Sequence, residues 1–147
     1  MQNPIIVYSV QGATKQQKAL IDRTIEQILP ALNLKISQDV NLTIDVGEFD
    51  TSGMIYEGEY DDGYWFTLEL VSDDQLLEAV MQEMKHVEQV LSGRMSYDNE
   101  GNIFWEGVRY DGYYETPWEI EAYQFEESLN GSNARHVGSS NQSSTDF

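Results

Sequence analysis

The sequence predicts a single α+β domain, and three observations carry that prediction. Apolar residues alternate at period two around 41–46 and 64–71, and they recur at helical spacing around 15–32 and 74–92. The two patterns interleave along the chain, as they do when helices and a sheet share one core. At 147 residues, with 40% hydrophobic and 12% aromatic content, there is chain enough for one packed core and too little for two.

The elements follow in order. Ile5-Ile6-Val7-Tyr8-Ser9-Val10 is short and β-branched, and Gly12 follows it, which predicts a first strand. Thr14 offers an N-cap to a helix over 15–32, whose apolar face is Ala19, Leu20, Ile21, Ile25, Ile28, Leu29 and Leu32. Asn41 to Val46 alternates and stops at Gly47, which predicts a strand with one buried face. Asp62-Gly63 is a tight-turn signal between arms near 54–60 and 64–71, so a hairpin is expected there. Ser72-Asp73-Asp74 supplies caps and acidic first-turn charge to a second helix over 74–92, with Gly93 as the residue that ends it. Asn99-Glu100-Gly101-Asn102 then separates arms 95–97 and 103–108 of a second, aromatic hairpin. Thr116-Pro117 opens a third helix that carries Trp118, Ala122 and Phe125 inward as far as Leu129. The composition beyond Gly131 is Gly, Ser, Asn and Gln, so the expected organisation is a domain over 1–130 and a disordered tail over 131–147.

Charge narrows the function classes. Eight Lys and Arg stand against 26 Asp and Glu, a net −18. Residues 36–134 hold three basic and 23 acidic side chains, a net −20, whereas residues 1–35 are net +2. A field of that sign repels phosphate backbones, so direct nucleic-acid binding is not expected, and cations or a basic protein partner are favoured. The absence of cysteine removes disulfides and thiolate ligands, leaving His, Asp and Glu for any metal, and fits a reducing cytoplasm. The longest apolar run, residues 4–8, is far below the roughly 20 residues of a membrane span and follows no basic segment, so neither a span nor a signal peptide is expected.

The chemistry-bearing motif is Gln82-Glu83-Met84-Lys85-His86 on the second helix. The four-residue spacing places Gln82 and His86 on one helix face, one turn apart, with Glu83 beside them. Zinc-peptidase helices of the form His-Glu-x-x-His use that spacing for two ligands and a general base. Here the first ligand position holds an amide.

Taken with Trp105, Gly107 and Tyr110 of the aromatic hairpin and Pro117, Trp118, Glu119, Glu121, Ala122 and Tyr123 of the third helix, the residues Glu83, Met84, His86, Val87 and Gln89 resemble zincin-fold metallopeptidases with a glutamate third ligand. More narrowly, they resemble small phage-encoded metallopeptidase-like proteins, and the likeness covers residues 64–129. The resemblance implies a zincin-like fold, a peptide or protein substrate, a zinc cofactor and a host-cytoplasmic location. It implies Glu83 as general base, His86 and Glu119 as metal ligands with Glu121 as the alternative, and Gln82 as a degenerate ligand position. Tyr110, Tyr113 and Tyr114 become oxyanion or rim residues. Tyr123 stands where that family has an acid that orients an imidazole.

An amide oxygen is a poor substitute for imidazole on zinc, and even the loss of an outer-shell partner costs about 10–100-fold in affinity or activity. The only other histidine, His136, lies in the expected tail. The expected function is therefore a metallopeptidase-like protein with weak or absent zinc and little peptide hydrolysis. The alternative is an acidic protein-binding module on the same scaffold, a DNA mimic or the binder of a basic partner.

Overall fold

The computed structural model describes residues 4–112 and 115–136, the side chains of 131–136 excepted. It has three helices, a mixed four-stranded sheet and a small antiparallel sheet. Strands β1 (Ile6–Gln11), β2 (Val40–Gly47), β3 (Gly53–Tyr60) and β4 (Gly63–Val71) form the larger sheet in the order β1-β2-β4-β3. β1 and β4 both run parallel to β2, and β3 returns antiparallel along β4 as the arm of a hairpin. Among the described residues β3 pairs with β4 alone and so forms one edge of the sheet. Gly63, at φ 121°, opens β4 where its backbone passes Asp39, whose carbonyl oxygen would lie 2.2 Å from any Cβ. Only glycine meets both demands.

Helix α1 (Lys15–Ile28) begins with the expected cap: Thr14 accepts from the Gln17 backbone N–H while the Gln17 side chain accepts from the Thr14 N–H. It tightens into a 3₁₀ turn at Leu29–Ala31, where Pro30 supplies no N–H to continue the ladder. Ile21, Ile25 and Ile28 of α1 and Leu76, Val80, Met84 and Val87 of helix α2 (Leu76–Leu91) pack into one core with alternate residues of β2 and β4. On β2 the buried residues are Val40, Leu42, Ile44 and Val46, and on β4 they are Phe66, Leu68 and Leu70. Each such side chain contributes on the order of 1.5–3 kcal/mol on leaving water. That layer fixes α2 against the sheet.

Besides the first helix, which ends at Ile28 where the sequence reading ran to 32, three boundaries differ from that reading. Helix α2 starts at Leu76 rather than 74, because Asp73 Oδ1 accepts from the Gln75 N–H at 2.9 Å and spends its capping capacity in a local turn. The arm expected over 103–108 is two strands, β6 (Ile103–Trp105) and β7 (Val108–Arg109), which with β5 (Met95–Tyr97) make the second sheet. Glu106 and Gly107 both have positive φ, 52° and 86°, and make the two-residue turn that pairs Trp105 with Val108. Helix α3 (Pro117–His136) continues past Leu129 through Asn130-Gly131, so residues 131–136, expected in the tail, are helical. A glycine costs a helix only about 1 kcal/mol relative to alanine and does not by itself end one. Residues 137–147 of the expected tail lie outside the described residues.

Candidate functional site

The site forms where α2 and the first turn of α3 meet beside the start of β3. Apolar residues Met84 and Val87 turn one face of α2 to the core, which leaves Gln82, Glu83, His86 and Gln89 to face the opening and α3. Trp118 and Ala122, buried on α3, seat its first turn against them. Two adjoining cavities of ≈210 and ≈360 Å³ share Ser52, Glu83 and Glu119. The smaller also takes in His86, Met54 and Tyr97, and the larger takes in Gln82. Together they form a cleft along the edge strand.

Gln89 organises the cleft. It is fully buried, and its amide nitrogen donates to the Trp118 carbonyl oxygen and to Glu121 Oε1, both at 3.0 Å. Its oxygen therefore faces His86 Nδ1, 2.7 Å away, and can only accept there. It follows that Nδ1 carries the imidazole hydrogen, and the neutral ring presents the bare lone pair of Nε2 to Glu119. Glu119 Oε1 lies 3.2 Å from that nitrogen. Two acceptors face each other unless a positive centre sits between them. A proton does so in the imidazolium form. Burial, the largest influence, pulls the His86 pKa down, but the hydrogen bonds with Glu119 and Gln89 and the charges of Glu83 and Glu119 outweigh it and leave it raised. In return, the hydrogen bond from His86 holds Glu119 below the ordinary carboxylate value.

Glu83 is a further titrating group of the cleft. It is 7% exposed, and burial pushes its pKa up to about 7, against a lowering influence of His86 and with some help from Glu119. Gln82 is turned to α3, where its amide nitrogen donates to Glu126 Oε1 at 3.3 Å. Burial holds Glu126 above the ordinary carboxylate value, opposed by that hydrogen bond. Asn130 donates to the other oxygen of Glu126.

The structure thus brings Gln82, Glu83, His86 and Glu119 to one cleft and distributes the remaining sequence candidates elsewhere. Glu121 is bound by Arg94 through two hydrogen bonds, 2.6 and 2.8 Å, besides Gln89, so of the two glutamates Glu119 is the one that reaches His86. Tyr110 packs edge-on to Trp118, ring centroids 4.9 Å apart, and lines a different pocket. Tyr113 and Tyr114 lie outside the described residues, as does the side chain of His136. Among the described residues the tyrosine that lines the cleft is Tyr97, held above its ordinary pKa by burial and by Glu119. Met95 and Tyr97 share a face of β5 by strand alternation, which is the signal in the sequence that identifies it.

One imidazole nitrogen and one carboxylate converge, and among the described residues no group of three or more His, Cys, Asp or Glu side chains is arranged to hold a metal ion. Comparison of the chain with protein-family models, with curated proteins and with solved structures gave no match. No helix among the described residues is long and apolar enough to cross a membrane.

Proposed function

We propose that this chain is a metallopeptidase-like protein that receives an extended polypeptide in the cleft beside β3 and hydrolyses it little. The observation that carries the reading is the arrangement on α2: His86 Nε2 turned to Glu119 at 3.2 Å, Glu83 buried three residues before it on the same helix, and an amide at Gln82, four residues before His86. An unpaired strand edge offers backbone N–H and C=O groups to a guest chain, and β3 borders the cleft through Gly53 and Met54. Glu83, half ionised near pH 7, is suited to exchange a proton with a bound group. It is not suited to deprotonate free water, whose pKa of about 15.7 makes that transfer uphill by roughly 12 kcal/mol from a base near 7. A third zinc ligand is what this donor set lacks to close that gap.

The experiment is a quenched-fluorophore peptide assay with added zinc on the wild type and on Gln82→His. The wild type should cleave at the background rate, and the variant should gain chelator-sensitive cleavage. Rapid chelator-sensitive cleavage by the wild type would refute the reading. A second reading, an acidic module for a basic partner, is favoured by the net −20 of residues 36–134. Binding that weakens steeply with salt would support it.

A further inference from the structure

Trp105, Trp118 and Tyr110 wall a surface pocket of ≈280 Å³ that shares only Trp118 with the cleft. The two indoles lie 6.1 Å apart and tilted by 48°, and Tyr110 meets Trp118 edge-on at 81°. The acidic residues Asp111 and Glu115 are among those that line the pocket, and Val108, paired with Trp105 across the tight turn, forms a rim that is 70% exposed. Arg109 also borders it, but its guanidinium is drawn to the hairpin loop, where Nη2 donates to Asn102 Oδ1 at 3.0 Å. That bond engages one of its donors in the loop.

Aromatic walls beside carboxylates select an organic cation, because ring faces are electron-rich and the acids complement the charge. The chain already makes this contact internally: the Arg94 guanidinium lies over Trp105, 5.1 Å from the ring centroid. A purely apolar guest would gain burial but nothing from the acids or from the net −20 of the surrounding segment. We propose that this pocket receives the Lys or Arg side chain of a basic partner protein. The site stands on its own walls and does not depend on the peptidase-like reading of the cleft.

The test uses a blocked pentapeptide with one central arginine, its citrulline twin, which has the same shape without the charge, and a proline twin. Each is titrated at about 0.15 M salt, where charges more than about 8 Å apart are screened, while the indole signals of the protein are followed by NMR. The arginine peptide should shift the Trp105 and Trp118 signals saturably and bind about tenfold more tightly than the citrulline peptide. Val108→Lys, a change at an exposed rim that sets an ammonium against the guest, should weaken it at least about fivefold, and Glu115→Gln about threefold. Trp105→Leu should abolish binding, with Trp105→Phe restoring part of it. Equal affinity for arginine and citrulline peptides, tighter binding of the proline peptide, absence of a saturable shift, or indifference to Val108→Lys would each overturn the proposal.

Discussion

Replacing Glu83 by glutamine should stabilise the protein, and the gain should grow with pH. The carboxyl group titrates at about 7 in the folded chain, against 4.5 in the unfolded one, because burial opposes its charge. Between those values the folded state holds a proton that the unfolded state has lost, so stability falls as pH rises through the window. Each pKa unit is worth about 1.36 kcal/mol, which puts the whole cost near 3 kcal/mol above pH 7. Roughly 2.5 kcal/mol of it accrues between pH 5 and pH 8.5, a range that stays above the sequence pI of 4.1. Glutamine keeps the shape and never ionises, so Glu83→Gln removes the cost. The assay is urea unfolding of both proteins at pH 5 and pH 8.5, read as the change with pH of their difference in stability. A difference that is flat to within about 0.5 kcal/mol would refute the burial argument and, with it, the assignment of Glu83 as a group poised near neutrality.

Three further outcomes follow from the same contacts. Gln89→Met, which keeps the volume and deletes the bonds to His86, Trp118 and Glu121, should cost about 2–4 kcal/mol in urea unfolding, since it strands a buried carbonyl as well. The His86 ring, followed by NMR, should titrate above the ordinary value near 6.5, and Glu119→Gln should lower that titration by removing its hydrogen-bond partner. As the folded pKa is the raised one, the stabilisation from the His86–Glu119 pair is full below 6.5 and is lost as pH rises through the folded value.

Local pattern made the elements legible. Alternation from Asn41 to Val46 and from Tyr64 to Val71 fixed two strands, and the Thr14 cap with the isoleucine stripe fixed the first helix. Strand order was not legible, because nothing in β2 records that both its neighbours run parallel to it; that follows from pairings 24 or more residues away along the chain. The turn at Glu106-Gly107 was hidden inside what reads as one apolar arm, and it needs a non-glycine residue at positive φ. At the site, the four-residue spacing already put Gln82 and His86 on one face. The resemblance already placed Glu119 ahead of Glu121, but Arg94, which binds Glu121 from another element, was not legible. Gln89 lies three residues after His86, so their proximity is helical geometry, but its bond to the Trp118 carbonyl oxygen arises only when α3 docks.

On the proposed reading, the amide at Gln82 leaves the α2–α3 cleft one ligand short of a zinc site. Calorimetric titration of zinc into the wild type and Gln82→His, each first stripped with chelator, tests it directly. The wild type should bind zinc weakly and the variant at least about 10–100-fold more tightly, a gain abolished when His86→Ala is added. Tight one-to-one zinc binding by the wild type, or no gain from Gln82→His in a folded protein, would contradict it.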